Sequence, residues 1–530
     1  MSEHPSTSSL DEPATTTASA ASGHAAPDTG AAPTELSLYP RRWAALAVLA
    51  VAQFMLIIDA SIMNIALPSA AVDLEISPAN IQWAVTAYTL AFGGLLLLGG
   101  RVADYAGRKR AFLIGLLGFA GASAIGGAAL NQGMLFGARA LQGLFGALLA
   151  PAVLSLITVM FTEPHERAKA FGVFGSIAGG GLAVGLLAGG VLTEYLDWRW
   201  CLYVNVPVAI VAAVFAIRLV PESKAHGNTR LDIPGAVLVS GGLVALVYAF
   251  TEAAKQETDA QGRLTTVGWT DPLVLTLLAL AVVALVGFVV LETRVKNPLL
   301  PLRVVLDRNR GGSYLIFLLA GAGMFAMFLF MTLYFQDVLG WKPLKAGFGF
   351  LPFSLGIIAM AALVARLLPR IGPKPLMIPG LSLAAIGLLV LTRTTETSSY
   401  WTSAFPGILV MSIGMSAVFI PVSSTALIGV AGHDAGVASA VLNTAQQVGG
   451  SLGLALLNTF AVSAITGKLG DLVAGGADPS SQQVQLTAQL HGYHVAYVWG
   501  AGFFVLALLV AITVITAKRD SLPAAGAAAA

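Results

Sequence analysis

The chain is a succession of long apolar runs broken by short loops that carry glycine, proline and charge. A helix that crosses a bilayer needs about 20 apolar residues. Runs of this kind at 42–67, 80–99, 111–130, 134–160, 169–192, 200–220, 233–252, 271–291, 312–335, 346–367, 376–393, 402–427, 435–463 and 494–516 predict fourteen transmembrane helices. Strands of a membrane barrel would be about ten residues long and alternate apolar with polar, a pattern the chain lacks. Residues 1–40 are rich in Ser, Thr, Ala and Pro and hold no continuous apolar core. They read as a disordered tail rather than a signal peptide. Residues 518–530 read as a second tail.

Composition narrows the class. Only 11% of the 530 residues are charged and 56% are hydrophobic, whereas a soluble domain carries about 25% charged residues. The 58 glycines suit close helix packing in lipid. A net charge of +2 gives no footprint for nucleic acid, and the single Cys201 permits no internal disulfide.

Basic residues orient the chain. With the N-terminus on the cytoplasmic side, inside segments hold twenty-one Lys and Arg and outside segments seven. Arg139, left inside the membrane, completes the 29. Both termini are therefore expected in the cytoplasm, in a multi-pass protein of the plasma membrane.

The loop after the second helix, Gly100-Arg-Val-Ala-Asp104-Tyr-Ala-Gly107-Arg108-Lys109-Arg110, has a short echo after the tenth, Arg370-Ile-Gly372-Pro-Lys374. Both fall between the second and third helix of a six-helix set if helices 7 and 8 are inserted. The expected units are 41–220, an inserted pair at 221–300, and 301–517. Transporters are commonly built from such repeats around a central site.

Two charged residues lie inside predicted helices. A carboxylate at a bilayer centre costs about 2.5–3.5 kcal/mol on insertion scales. Asp59 in helix 1 must therefore face a cavity, carry a proton or hydrogen-bond a neighbouring helix. Arg139 in helix 4 keeps its charge and must find acceptors or water. Asp59 is a candidate partner, directly or through water. Helix 5 carries glycines at four-residue spacing, among them Gly181, Gly185 and Gly189, followed by Gly190, a smooth face for tight packing. Asn443 and Gln447 share one face of helix 13 beside Gln446. With Asn64 and Gln142 they are the candidate substrate-cavity residues. Asp197-Trp198-Arg199-Trp200 reads as an interfacial anchor. Glu252 and Asp337 read as solvated ends of helices 7 and 9, and His491 and His494 as an outside loop. No phosphate-binding G-x-x-x-x-G-K-[ST] loop is present. No metal-ligand cluster is evident, and no cofactor is expected, so the energy source would be a gradient.

These residues resemble the major facilitator superfamily. Gly100, Ala103, Asp104, Gly107, Arg108 and Lys109 match its G-x-L-A-D-R-x-G-R-K loop, with Val102 and Tyr105 departing from it. Asp59, Asn64, Ala66, Leu67 and Pro68 are similar to the D-x-T-I-V-N-V-A-L-P run of fourteen-helix drug/proton antiporters. Arg139, Gln142 and Gly143 resemble R-x-x-Q-G-x-G-A. Gly185, Gly189 and Gly190 match G-x-x-x-G-P-x-x-G-G, with Leu186 where proline is expected. Trp198-Arg199-Trp200 with Asn205 and Pro207 is similar to the W-R-W-x-F-Y-x-N-x-P run of the EmrB/QacA type. Pro221-Glu222-Ser223 resembles a sugar-porter loop but lacks its continuation, and is set aside.

The resemblance implies an all-α integral membrane protein of the major facilitator fold: two pseudo-symmetric six-helix bundles plus two inserted helices. It implies proton coupling through Asp59 and Arg139. It also implies a loop around Asp104 that latches the halves when the protein faces outward. The expected function is proton-driven export of small lipophilic or cationic compounds by a monomer. Alternatives are a dedicated exporter of one natural product, an importer or a non-transporting receptor. An enzyme is the least favoured reading, because no catalytic cluster is seen.

Overall fold

The computed structural model describes residues 40–224, 232–258, 264–295, 298–300, 302–430 and 435–519. Nearly all of the two expected tails lies outside this range, as do Arg230, Arg263 and Lys296.

Each predicted span coincides with a helix. These are α1 (Arg42–Asp73), α2 (Trp83–Ala106), α3 (Arg108–Gly127), α4 (Gln132–Met160), α5 (Pro164–Tyr195), α6 (Trp200–Leu219) and α7 (Ile233–Ala253). There follow α8 (Pro272–Arg294), α9 (Arg308–Val338), α10 (Pro343–Ile371), α11 (Lys374–Leu391), α12 (Ala404–Ala426), α13 (Ala435–Ala474) and α14 (Gln482–Thr513). Thirteen of the described helices are long and apolar enough to cross a membrane, and the fifth, α5, contributes a shorter apolar stretch, Gly180–Tyr195. A small antiparallel hairpin, β1 (Gln256–Thr258) with β2 (Leu264–Thr266), joins α7 to α8.

Polar side chains start several of these helices. Asn131 accepts a bond from Met134 N and caps α4. Asp271 does the same for α8 and Asp307 for α9. Such caps satisfy N–H groups that have no partner within the helix. Between α2 and α3 the chain turns at Gly107 (φ 106°), and between α10 and α11 at Gly372 (φ 83°). A left-handed backbone favours glycine at both places. The echo read in the sequence is therefore an echo in conformation.

Helices α1–α6 pack on one another, and α9–α14 form a second bundle. The α7–α8 pair lies outside both and rests on α2 and α13. In its most apolar stretch α8 is only 17% buried, against 72% for α9. Val282, Val283 and Val286 of α8 are exposed, so this helix presents its side chains to lipid.

The bundles meet at the ends remote from the chain termini. There Thr89 of α2 bonds Ser451 of α13. Gln336 Nε2 donates to Ile65 O at 2.9 Å, and Asn458 Nδ2 to Pro78 O at 3.0 Å. Glu194 of α5 accepts from Leu344 N at the start of α10, 3.2 Å away, and Lys342 Nζ lies 3.8 Å from the same carboxylate. A carboxylate at a helix N-terminus is favourably placed against the helix dipole.

Two elements differ from expectation. Helix α14 begins at Gln482, twelve residues before the predicted 494, and α13 runs on to Ala474. His491 and His494 are thus on a helix rather than in a loop, and His494 Nε2 lies 3.1 Å from Thr394 Oγ1. Glu252 is held by Lys255 Nζ at 3.1 Å. That bond pushes the Lys255 ammonium above its usual range. Asp337 is exposed, on the wide helical turn Tyr334–Val338 that ends α9.

Candidate functional site: a buried Asp59–Arg139 pair

Asp59 lies midway along α1, and Arg139 and Gln142 lie one turn apart on α4. The three-residue spacing puts both α4 side chains on one face. Arg139 Nη1 donates to Asp59 Oδ2 at 2.6 Å and to Gln142 Oε1 at 2.9 Å, while Arg139 Nε donates to Ala84 O of α2 at 3.0 Å. The guanidinium also stands 4.6 Å from the centre of the Tyr88 ring. The other carboxylate oxygen, Asp59 Oδ1, accepts from Gln142 Nε2 at 2.9 Å and from Asn205 Nδ2 of α6 at 2.7 Å. Ser123 Oγ of α3 closes the cluster, 2.7 Å from Gln142 Nε2. All five side chains are buried, with Asp59 at 0% and Arg139 at 1% exposure.

Two features follow from this inventory. Each group bonded to Asp59 is an N–H donor, so the cage suits an ionised carboxylate, which only accepts. Charge-assisted bonds of this kind offset the desolvation of both ions. The cluster also draws on α1, α2, α3, α4 and α6 alone, so it belongs to one bundle rather than to the seam between two.

The sequence named Asp59, Arg139 and Gln142, and the fold brings them together. Gln142, expected to line a cavity, is instead fully buried inside the ion-pair network. Asn205, Ser123 and Tyr88 were missed as site residues. Asn205 was visible only as part of the W-R-W-x-F-Y-x-N-x-P resemblance. Asn64 is half-buried and donates to Ala60 O of its own helix. Asn443 is exposed and bonds Ser439 O. Gln446 and Gln447 are half-buried on α13, where Gln447 packs against Gly93 of α2 and its Oε1 has no partner. These three side chains belong to the second bundle and form no bond with Asp59.

The loop between α2 and α3 is fastened within its own half. Asp104 Oδ1 accepts from Arg108 Nε at 3.1 Å and Nη2 at 3.0 Å. Arg108 N donates to Ser223 O at 2.8 Å, and Arg108 Nη1 to Ser223 Oγ at 3.1 Å. Lys109 N bonds Glu222 Oε1 at 3.2 Å, and Lys109 Nζ bonds Ile217 O at 2.8 Å. Glu222-Ser223, set aside on sequence, is thus the anchor of this loop. Gly100 packs on Pro151 of α4.

On α5, Gly185 packs on Ser61 and Ile58 of α1, and Gly189 on Ile62. Gly190 faces the other bundle: a methyl group there would lie 2.6 Å from Leu344 Cα and 3.0 Å from Pro343 O. Leu186, at the expected proline, is fully buried, and α5 continues unbroken past it.

Two six-helix bundles with a charged pair buried in one of them define a membrane transporter. The sequence pattern of the Major Facilitator Superfamily matches residues 49–454, and the chain belongs to that superfamily. It is 48% identical to the puromycin resistance protein pur8 of Streptomyces alboniger over 510 residues, covering 95% of this chain and 98% of that one. It is 36% identical to the cephamycin export protein CmcT of Amycolatopsis lactamdurans, covering 90% and 93%. Among solved structures, a bacterial homologue of the human lysosomal transporter Spinster superposes with a TM-score of 0.65. That alignment is 14% identical and covers 92% of this chain and 99% of the other.

Proposed function

We propose that the chain is a proton-coupled antiporter that exports natural-product antibiotics across the plasma membrane and so confers resistance. The support for export is its similarity to two relatives named for antibiotic resistance or export, at 48% and 36% identity. The support for proton coupling is one observation, the dry Asp59–Arg139 pair. An ionisable pair is expensive inside a membrane, and residues kept there at that cost mark proton or substrate pathways.

The basic-residue bias puts both termini in the cytoplasm, which makes the closed end of the molecule the outer face. On this reading the molecule faces inward, and the three N–H donors around Asp59 favour its carboxylate form. Residues 41–220 and 301–517 rock against each other as a monomer, with 221–300 as the inserted pair. In the outward-facing state a proton from outside neutralises Asp59. Protonation weakens the charge-assisted bonds that Arg139, Gln142 and Asn205 donate to Asp59, so the cage loosens and α1, α4 and α6 shift together. The loop around Asp104 exchanges its partners between the two states. One charge moved through 100 mV releases about 2.3 kcal/mol, enough for a concentration ratio in the tens. Asn64, Asn443, Gln446 and Gln447 remain the candidates for the substrate surface.

Both relatives are named for a single antibiotic, which favours a narrow substrate range as a second reading. Expression in a susceptible host, with resistance scored against puromycin, a cephamycin and a lipophilic cationic dye, tests both. Resistance to several compounds supports a broad exporter, and resistance to one supports a dedicated pump. Resistance to none, with the protein in the membrane, argues against export.

A further inference from the structure

The inserted helix α7 bonds both bundles through two neighbouring residues near the closed end of the molecule. Thr251 Oγ1 accepts from Gln82 Nε2 at 2.8 Å and from Trp83 Nε1 at 3.0 Å, at the start of α2 in the first bundle. Its own hydroxyl hydrogen goes to Val247 O of α7, 3.0 Å away. One residue earlier, Phe250 O accepts from Thr459 Oγ1 of α13, in the second bundle, at 2.7 Å. Gln82 and Thr459 are 0% exposed and Thr251 4%. Asn458, beside Thr459, makes the direct bond between the bundles to Pro78 O. Further along the same helices, Leu90 of α2, Leu243 and Val247 of α7, and Val448 and Ala455 of α13 share one apolar cluster.

The two attachments of α7 are unequal. On the α13 side the bond to Phe250 O is reinforced by the hairpin, where Gln256 Nε2 donates to Thr466 Oγ1 at 2.9 Å. The Trp269 ring also meets Phe250 at 5.7 Å and Phe460 of α13 at 6.3 Å, edge-on to each. On the α2 side both donors, Gln82 and Trp83, converge on the single oxygen of Thr251. Opening this end parts α2 from α13, which the bond between Thr89 and Ser451 holds together. A single helix cannot follow both. A bond made in one state only shifts the equilibrium between two states, whereas a bond kept in both shifts nothing.

We propose that the inserted pair braces the closed end: it travels with the second bundle, and the Thr251 hydroxyl holds α2 against it only while this end is shut. The brace rests on the rocking motion proposed above, in which opening breaks the bonds from Gln82 and Trp83 and keeps those from Thr459 and Gln256. Two neutral hydrogen bonds favour the closed state by about tenfold.

The test uses the full chain in lipid nanodiscs, with Ser451→Cys in a Cys201→Ser background as parent. Ser451 is 0% exposed, so the rate at which N-ethylmaleimide alkylates a cysteine there reads the open population. Thr251→Val keeps the shape of the side chain and removes its hydroxyl. It should speed alkylation about tenfold, and Thr251→Ser should return the rate towards that of the parent. Trp83→Phe removes one of the two donors and should speed alkylation a few-fold, which keeps the brace testable if Thr251→Val does not fold. Thr459→Val should alkylate at close to the parental rate, because its bond is kept in both states. Equal acceleration in Thr251→Val and Thr251→Ser overturns the brace, since packing rather than the hydroxyl then holds this end. Acceleration in Thr459→Val without any in Thr251→Val overturns it as well, since the pair then travels with the first bundle. Glu194→Ala, on the opposite seam, separates the brace from the rocking motion. Faster alkylation in Glu194→Ala beside a parental rate in Thr251→Val refutes the brace and leaves rocking intact. A parental rate in both refutes rocking, and the brace with it.

Discussion

Arg139 Nη1 lies 2.6 Å from Asp59 Oδ2, and water reaches neither side chain. Removing one partner of such a pair strands the other charge, at a cost of about 3–5 kcal/mol. Arg139→Met should therefore lower the thermal stability of the purified protein sharply. The double variant Asp59→Leu with Arg139→Met removes both charges, and should recover most of that stability while leaving efflux abolished. A double variant no more stable than Arg139→Met would show that the charges are not coupled.

Asn205 supplies a donor to Asp59 from α6, 2.7 Å away. A hydrogen bond to a charged group is worth about 1.5–3 kcal/mol, roughly tenfold or more in an equilibrium. Asn205→Leu should reduce efflux by about that factor at equal membrane abundance, and Asn205→Ser, which retains a donor, should lose less. Equal losses in the two variants would mean that shape, not the bond, matters at this position.

Glu194 joins α5 to the first turn of α10 through Leu344 N, across the seam between the bundles. Glu194→Ala should shift the protein towards the state open at this end, by a few-fold for a bond of about 1 kcal/mol. Thr89 and Ser451 touch across the two bundles in this structure, where this end is closed. Thr89→Cys with Ser451→Cys, in a Cys201→Ser background, therefore reports closure as a disulfide. Slower crosslinking in the presence of Glu194→Ala is expected. An unchanged rate would remove Glu194 from the gate.

Gly190 presses against the Pro343–Leu344 backbone. Backbone cannot rotate aside as a side chain can, so Gly190→Ala should hold the bundles apart at this end. The same cysteine pair should crosslink poorly in that variant while the protein stays folded and membrane-inserted. Full crosslinking would show that the bundles close without this contact.

Much of this architecture was legible in the sequence because lipid imposes simple rules. The fourteen apolar runs became fourteen helices, since a segment in lipid must satisfy its own backbone. Asp59 and Arg139 stood out because charge is rare at membrane depth. What surrounds them was not legible. Asn205 and Ser123 reach Asp59 only through the packing of α6 and α3, which no spacing within one helix reveals. Gln142 was assigned to the cavity because its helix was known but not which way that face points. The start of α14 at Gln482 was missed for another reason. Its first twelve residues are largely polar, so a search for apolar runs passes over them. Glu222 and Ser223 were discounted on an incomplete motif, although their bonds to Arg108 and Lys109 need only those two residues.

The coupling role of Asp59 is the centre of this account. Its most direct test is efflux of a lipophilic cationic dye from energised cells, with and without an uncoupler, comparing wild type with Asp59→Asn at equal membrane abundance. The account predicts uncoupler-sensitive efflux by the wild type and its loss in Asp59→Asn. Uncoupler-sensitive efflux that persists in Asp59→Asn would contradict it.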